Sequence, residues 1–218
     1  MSGSKDAISF FDEHAHEYDE WFDKHKAVFE SELLALRQFV PQTGVGLEVG
    51  AGTGRFAESL GVQFGLEPAA QMRAIARSRG INTIDGVAEA LPFPDERFDF
   101  VLFVTTLCFV RDPLQALREA YRVLKPGGAI IVGIIDKDSA LGKQYSKSES
   151  SYYRGAHFIG PGELEEWIRR LGFEEIRSCQ TLAGNLNEMV TPESPKVGCG
   201  EGGFVVFSGC KPKILSPM

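Results

Sequence analysis

The sequence predicts an α/β protein with a doubly wound, mostly parallel sheet and helices on both of its faces. From residue 44 to 136, short continuous apolar runs alternate with helical segments that keep one apolar face. This alternation is typical of parallel strands that are buried on both sides. A glycine-rich stretch, LEVGAGTGRF, spans the end of the first apolar run. In open parallel sheets, ligands bind at such a turn beyond the carboxyl end of a strand.

Seven apolar runs are predicted to be strands. The fifth of them, AIIVGII, comes directly after the run LKPGG, which we expect to end the preceding helix. The predicted strands are Val45–Val49, Val62–Leu66, Ile81–Ile84, Phe98–Val104, Ala129–Ile135, Phe173–Thr181 and Gly203–Cys210.

Helices are predicted between these strands. Residues 69–80 keep a helical pattern that a glycine closes. Asp112 followed by Pro113 predicts a helix start, because aspartate caps the first turn and proline is tolerated at the first helical position. A further helix is expected over Gly160–Leu171, and the stretch 182–202, rich in glycine and proline, is expected to be irregular.

Composition argues against several classes of protein. The chain has 218 residues, a net charge of −7 and a pI near 5.2, so we expect it to bind neither nucleic acid nor an anionic membrane surface. No apolar run is long enough to span a bilayer. The N-terminal stretch MSGSKDAISFFDEH has no apolar signal core, and we therefore expect a cytoplasmic protein.

The cysteines do not predict a metal site or a disulfide framework. The chain has four, and none of them forms a C-x-x-C pair or has histidines at zinc-finger spacing. Cys108 follows the fourth predicted strand closely, so it either faces the site or fills the core as a small apolar side chain. We predict no bound metal.

The glycine spacing and two acids indicate the charge of the ligand. The three glycines form GxGxG, whereas nicotinamide and flavin enzymes use GxGxxG. Glu48 comes two residues before the first glycine and would repel a diphosphate but attract an ammonium or sulfonium group. Glu67 ends the second predicted strand, where an acid accepts hydrogen bonds from both ribose hydroxyls.

Four motifs in order carry a resemblance to a known family. EVGAGTGRF, LEPAAQM, GVAEALPFPDERFDFV and LREAYRVLKPGGAIIV resemble the motif set of the class I S-adenosylmethionine-dependent methyltransferases. The chain is most similar to the branch called UbiE-like or methyltransferase-11 type. The resemblance is strong over residues 40–136 and loose over the rest. It implies a Rossmann-like, seven-stranded sheet whose last strand is antiparallel, with S-adenosylmethionine as cofactor and S-adenosylhomocysteine as product.

The resemblance also implies roles for residues around the methionine part of the cofactor. Glu48 would reach its ammonium group, directly or through water. Thr105 would lie by the sulfonium and the entrance for the acceptor, and Tyr18, in a YDxWF-like helix, would close over the methionine end. The turn beneath this part would comprise Glu48, Gly50, Ala51, Gly52 and Gly54.

At the adenosine end, Glu67 would hold the ribose. Pro68 and Met72 would pack against the adenine face, and Ala88 and Glu89 would lie along its edge. Many relatives carry aspartate where this chain has Val87, so Glu89 would be the acidic partner of the adenine amino group.

The chain is predicted to be a single domain, 1–218, with four parts. An N-terminal helical cap, 1–40, is rich in aromatic side chains, and the cofactor-binding core follows over 41–136. A polar segment, 137–160, is expected to be a loop or lid, and 161–218 would complete the sheet.

Methyl transfer from a sulfonium needs mainly alignment and exclusion of water, so it does not require a dedicated base. A base is needed only for a protonated acceptor. The candidates are His157, His14 and Tyr18, with a surface position as the alternative for each histidine and core packing as the alternative for Tyr18. The acceptor pocket would be walled by Phe109, Tyr152, Tyr153 and Phe158.

A small-molecule acceptor is favoured, since TTLCF replaces the Asn/Asp-Pro-Pro-aromatic motif of nucleic-acid amino-methyltransferases. Three alternatives stay open: a non-catalytic S-adenosylmethionine-binding protein, a nicotinamide-dependent oxidoreductase, and an aminopropyl transferase. The sequence lacks the GxGxxG motif of a nicotinamide-dependent oxidoreductase. Residues 137–160 lack the paired acids that an aminopropyl transferase usually has. The protein would be a monomer or a homodimer.

Overall fold

The computed structural model describes residues 3–147, 151–153 and 155–213. The strands within these residues belong to one sheet. They are β1 (Gly46–Val49), β2 (Phe64–Leu66), β3 (Asn82–Ile84), β4 (Phe98–Val104), β5 (Leu124–Ile135), β6 (Glu174–Thr181), β7 (Lys196–Val197) and β8 (Phe204–Cys210). Their order across the sheet is β3-β2-β1-β4-β5-β8-β6-β7.

Helices cover both faces of this sheet. Two short 3-10 turns, Ser151–Tyr153 and Leu186–Glu188, complete the regular structure of the described residues. The α-helices are α1 (Gly3–Glu13), α2 (Ala15–Lys24), α3 (Lys26–Leu36), α4 (Arg55–Leu60), α5 (Ala70–Ser78), α6 (Pro113–Val123), α7 (Ala140–Lys147) and α8 (Pro161–Arg170).

The sheet is mostly parallel, as predicted. Strands β1 to β5 pair in parallel, while β8 lies antiparallel between β5 and β6. The predicted count of seven strands is short by one, because the two-residue strand β7 pairs with β6 inside the stretch expected to be irregular. A strand of two exposed residues, Lys196 and Val197, leaves no apolar run for sequence reasoning to find.

Both faces of the sheet are buried, which confirms the reading of the continuous apolar runs. Along β4, Val101 and Phe103 pack with one core cluster, and Phe100, Leu102 and Val104 pack with the other. The chain leaves β1 toward β2 and later returns to β4 on its other side. This reversal opens a crevice beyond the carboxyl ends of β1 and β4, where ligands bind in such sheets.

Helix α6 starts as predicted and ends differently. The Asp112 side chain accepts a hydrogen bond from the Gln115 backbone N–H at 2.9 Å. The run LKPGG, expected to end the helix, belongs to β5 instead, which begins at Leu124. Gly127 and Gly128 exchange backbone hydrogen bonds with Lys211 after β8, so pairing with a distant segment keeps this run in the sheet.

The segment 137–160 is not simply a loop. Residues 140–147 form α7, in which Leu141 is buried. The Tyr145 ring stacks on the Tyr153 ring with centroids 4.2 Å apart. These contacts with distant side chains order a polar stretch whose own pattern does not predict a helix.

Arginine ion pairs fasten the N-terminal helices to the sheet. Arg55, which follows the glycine turn, donates two hydrogen bonds of 2.9 Å to the Asp19 carboxylate of α2. Arg79 reaches the same carboxylate at 2.7 Å. Asp12 of α1 accepts a hydrogen bond of 2.7 Å from the Gln71 backbone N–H, and so caps α5. Sequence reasoning missed these contacts because they join segments far apart in the chain.

We expect Asp19→Asn to destabilise the protein by roughly 2 kcal/mol, between the values for exposed and fully buried ion pairs. Burial opposes ionisation of Asp19, but hydrogen bonds from Arg55 and Arg79 lower its pKa to about 2. The variant leaves both guanidinium groups without their shared carboxylate. Urea unfolding at pH 7 measures the loss.

The matched control is Asp23→Asn. Asp23 also pairs with Arg55, but its side chain is 59% exposed, so we expect a loss within about 0.5 kcal/mol. Equal stabilities of the two variants would show that the Asp19 contacts do not hold α2 in place.

Candidate functional site

A cavity of about 500 Å³ lies beyond the carboxyl ends of β1, β2 and β4. Helices α1 and α2 cover it from one side, and α7 and the turn at Ser151–Tyr153 cover it from another. Nine aromatic side chains and three carboxylates line it, and no lysine, arginine or histidine does so among the described residues. The size is that of pockets that enclose most of a small ligand. Its charge admits a cationic or neutral ligand.

The three glycines of the turn have different reasons to lack a side chain. All have positive φ, at 72°, 53° and 81° for Gly50, Gly52 and Gly54. A Cβ on Gly50 would overlap the Thr106 side chain, and one on Gly54 would lie 3.0 Å from the Ala76 Cβ of α5. At Gly52 the nearest atom would be Tyr18 Cε1 at 3.6 Å. Gly50 and Gly52 both line the cavity, and Gly52 is the one of the three at which an added Cβ would enter it without a clash.

Glu48 lies beneath the turn and does not line the cavity. Its carboxyl is 1% exposed, and Oε2 has no hydrogen-bond partner among the described residues. Burial raises its pKa well above the usual range, although a hydrogen bond from the Ala57 backbone opposes the shift and the charge of Glu67 adds to it. An unsatisfied buried oxygen of this kind costs free energy unless a ligand or water satisfies it.

Glu67 ties the end of β2 to the glycine turn. Its carboxylate accepts hydrogen bonds of 2.9 Å from the Gly52 and Ala69 backbone N–H groups. The side chain lines the cavity, and burial raises its pKa while these two N–H groups lower it. Each oxygen keeps a free lone pair, so the carboxylate can accept two further hydrogen bonds from a diol.

Tyr18 closes the cavity above the turn. Its ring contacts Phe22 and Phe11, with centroids 5.2 and 5.7 Å away. Burial and the charges of Glu32, Glu48, Glu67 and Asp19 raise the pKa of its hydroxyl. The hydroxyl therefore stays protonated and can donate a hydrogen bond, but it cannot serve as a base near neutral pH.

The residues predicted to contact adenine line the cavity as well. Pro68, Met72, Ala88 and Glu89 all do so, and so does Val87, which is 42% exposed. Met72 also packs with residues of α1 and α2.

Glu89 has a structural partner that the sequence did not reveal. Its Oε1 accepts hydrogen bonds from the backbone N–H groups of Arg111 and Asp112, at 2.9 and 3.3 Å. These bonds fasten the loop after β4 to Glu89, which also lines the cavity.

Thr105 lines the cavity just beyond β4 in a left-handed conformation with φ of 50°, which is rare for a residue branched at Cβ. Cys108 does not line the cavity. Its Sγ lies 3.2 Å from the Thr105 carbonyl oxygen, and burial raises the pKa of the thiol to about 12. Cys108 is therefore a core side chain and not a nucleophile.

The two histidine candidates lie outside the cavity lining. The His14 ring stacks on Phe10 and has Nδ1 2.9 Å from the Phe10 carbonyl oxygen. His157 is exposed, and its backbone N–H donates to the Cys108 carbonyl. Neither is positioned to take a proton from a ligand in the cavity. Of the predicted wall residues, Phe109, Tyr152 and Tyr153 line it and Phe158 packs behind them.

Sequence reasoning missed Glu32, a carboxyl of α3 that lines the cavity and is 7% exposed. No described residue donates a hydrogen bond to it, and burial alone raises its pKa to about 8. Its charge acts on the hydroxyls of Tyr18, Tyr145 and Tyr153. The available signal was the helical spacing of Glu32 with Val28 and Leu36, which are buried four positions before and after it.

Within residues 3–147, 151–153 and 155–213, no group of three or more His, Cys, Asp or Glu side chains is arranged to hold a metal ion. No helix in these ranges has both the length and the apolar character needed to cross a membrane.

Comparisons with known proteins place this site in a family context. A family model described as methyltransferase domain matches residues 47–132. The chain is 47% identical in sequence to a Thermotoga maritima protein whose crystal structure is described as a SAM-dependent methyltransferase, possible histamine N-methyltransferase. The two structures superpose with a TM-score of 0.91. The match covers 94% of this chain and 99% of that one.

Curated protein sequences are similar to the chain as well. The chain is 44% identical to an uncharacterized protein of Methanocaldococcus jannaschii, over 94% of this chain and all of that one. It is 30% identical to the ubiquinone/menaquinone biosynthesis C-methyltransferase UbiE of Xanthomonas campestris, over 79% of this chain and 70% of that one. Other curated relatives are longer, and the chain spans 60% of their length.

We expect Glu32→Gln to become more stable than the wild type as the pH rises from 5.5 to 8.5. An unfolded glutamate ionises near its ordinary pKa of 4.5, whereas the folded value is about 8. Wild-type stability therefore falls as the pH rises between these values, because only the unfolded chain loses the proton. The amide has no proton to lose, so the difference should grow by at least about 1 kcal/mol, at about 1.4 kcal/mol per pKa unit.

Urea unfolding at the two pH values measures this difference, with Glu30→Gln as control. Glu30 is exposed on the same helix, and its substitution should leave the pH dependence unchanged. A Glu32→Gln curve parallel to that of the wild type would contradict the burial of this carboxyl.

Proposed function

Because the chain belongs to the class I S-adenosylmethionine-dependent methyltransferase family, we propose that it transfers a methyl group from S-adenosylmethionine to a small organic acceptor. The observation that carries this proposal is the cavity at the switch point of the sheet, where Gly52 is open, Glu67 lines the wall and no basic side chain is present among the described residues. A sulfonium ligand suits such a site and a diphosphate does not.

The residues present fit this cofactor. The free surface of Gly52 suits a ligand that lies against bare main chain. Glu67 has lone pairs for the ribose hydroxyls, and the unpartnered Oε2 of Glu48 suits an ammonium group reached directly or through water. Met72 and Pro68 offer an apolar surface for the adenine ring.

When bound, S-adenosylmethionine supplies an activated methyl group that is displaced in line by a nucleophile. The chain then has to align the acceptor, which can contribute up to roughly 7–11 kcal/mol in the ideal case. Tyr18 and Tyr153 cover the cavity and exclude water from it. A water-poor pocket favours the loss of charge at sulfur.

We propose a small acceptor because α1, α2 and α7 enclose the space beside the turn. The description of the Thermotoga relative as possible histamine N-methyltransferase adds an amine to the candidates, and UbiE adds a carbon nucleophile of a quinone precursor. A cytoplasmic location and a monomeric or dimeric state stay predictions.

Calorimetric titration of the purified protein with S-adenosylmethionine, S-adenosylhomocysteine and NADH tests the proposal. Micromolar binding of the first two and none of NADH is expected, followed by methyl transfer to a member of an acceptor panel. Binding of NADH alone would favour the oxidoreductase alternative. Binding of both sulfur ligands without turnover on any acceptor would favour the non-catalytic alternative.

We expect Glu67→Gln to weaken S-adenosylhomocysteine binding at least tenfold, since a hydrogen bond to a charged group contributes about 1.5–3 kcal/mol. The amide nitrogen cannot accept from the ribose, and it faces an N–H donor of the protein. Calorimetry gives the affinity, and thermal unfolding confirms that the variant is folded. Glu174→Gln, exposed on β6, is the control, and equal affinities of the two variants would refute the ribose assignment.

We expect Gly52→Ala to fold but to lose S-adenosylhomocysteine affinity by more than tenfold. Its methyl group would meet no protein atom closer than 3.6 Å, but it would occupy the surface on which the ligand lies. Gly61→Ala is the matched control, because Gly61 also has positive φ, at 70°, and has nothing within 4 Å of its added Cβ. Both should lose about 1 kcal/mol of stability, and only Gly52→Ala should lose binding.

A further inference from the structure

Glu32 is a buried carboxyl that the fold does not use. It lies on α3 with 7% exposure and lines the cavity. Neither a hydrogen bond nor an ion pair from any described residue satisfies it, and burial is the only cause of its raised pKa. Leaving a buried carboxyl without a partner is costly. A group that costs stability in the free protein and faces a cavity points to a ligand.

Glu32 lines the same cavity as Tyr18 and Gly52. Among charged groups, Glu32 has the largest effect on the Tyr18 hydroxyl, ahead of Glu48 and Glu67. Tyr18 in turn lies over Gly52. We therefore assign Glu32 to the same part of the cavity as Tyr18 and Gly52.

The groups around Glu32 favour a cation. The titratable groups that face it are the hydroxyls of Tyr18, Tyr145 and Tyr153, from α2, α7 and the turn at Ser151–Tyr153. Burial raises the pKa of each, so all are neutral near pH 7. Aromatic rings with a carboxylate and no basic side chain form a site for an ammonium group, and such a site rejects carboxylate and phosphate ligands.

We propose that the acceptor is a primary or secondary amine, that its ammonium group binds to the Glu32 carboxylate, and that Glu32 takes the proton that must leave before the nitrogen is methylated. This inference rests on the proposed function and names its substrate class. Glu32 thus acts both as the binding partner of the amine and as its base.

The proton and electron balance of the step is complete. The Glu32 carboxylate accepts one proton from R–NH₃⁺ and becomes neutral, which frees the nitrogen lone pair of R–NH₂. That lone pair forms the new C–N bond as the C–S bond of the donor breaks, and the C–S electron pair stays on sulfur. The products are R–NH₂⁺–CH₃ and a thioether, and Glu32 returns its proton to water when they leave.

The same geometry predicts a proton count on binding. Glu32, with a pKa of about 8, is mostly protonated in the free protein at pH 7. An ammonium ligand favours the carboxylate, so its binding releases close to one proton, roughly 0.9 from that pKa. A neutral acceptor that only receives a hydrogen bond from the acid form releases none.

The experiment is calorimetry on the full chain saturated with S-adenosylhomocysteine, at pH 7, in two buffers of different ionisation enthalpy. The probes are butylamine, N-methylbutylamine and 2-phenylethylamine, with 1-butanol and 2-phenylethanol as neutral counterparts and pentanoate and 3-phenylpropanoate as anionic ones. At least one amine should bind tenfold or more tightly than its counterparts and should release close to one proton. Mass spectrometry with S-adenosylmethionine should then detect its N-methyl product.

Three variants separate the role of Glu32 from a general loss of structure. Glu32→Gln should bind the amine at least tenfold more weakly, should release no proton and should still bind S-adenosylhomocysteine. Glu32→Asp should recover part of the proton release. Glu30→Gln, exposed on the same helix, should match the wild type.

The proposal is overturned if no amine binds more tightly than its alcohol or carboxylate counterpart, or if Glu32→Gln keeps the affinity and proton release of the wild type. Failure of S-adenosylhomocysteine to bind at all would instead refute the proposed function. The first titration therefore distinguishes the two failures.

Discussion

The parallel strands of this protein are buried on both faces of the sheet, and this burial shapes the whole fold. Parallel neighbours cannot be joined by tight hairpins, so helices must cross from the end of one strand to the start of the next. The carboxyl ends of β1, β2 and β4 are thereby brought to one edge. Where the strand order reverses there, no helix can fill the crevice, and the turn at Gly50–Gly54 forms its floor.

A crevice becomes an enclosed cavity only when something covers it. Here α1 and α2 do so, and both apolar packing and ion pairs hold them in place. Arg55 follows the glycine turn directly, so the residue that starts α4 also anchors Asp19 of the covering helix. The Asp12 cap on α5 adds a second attachment. The glycine turn and helix α2, which lies over it, are thus joined through Arg55.

Three buried carboxyl groups lie in or beneath the cavity, and none of them forms an ion pair with a described residue. Glu48, Glu67 and Glu32 are all buried with raised pKa values, and Arg55 and Arg79 pair with Asp19 instead. Burying carboxyls without cations costs stability, and a cationic ligand offsets that cost when it binds. This compensation of buried carboxyl groups by a cation would apply to a sulfonium cofactor and, in our proposal, to an ammonium acceptor.

Most strands and helices, the glycine turn and the roles suggested for Glu48 and Glu67 could be predicted from the sequence. The reason is that strand period, helix caps and glycine spacing are local properties. The sequence could not place Glu32, since its neighbours Tyr18, Tyr145 and Tyr153 are up to 121 positions away in the chain. The sequence could not exclude His14 and His157 as bases, and it did not predict helix α7. It also could not show that packing against Thr106 and Ala76 leaves no room for a side chain at Gly50 and Gly54. Only the tertiary structure decided these points, because burial and unsatisfied charge arise from contacts between distant segments.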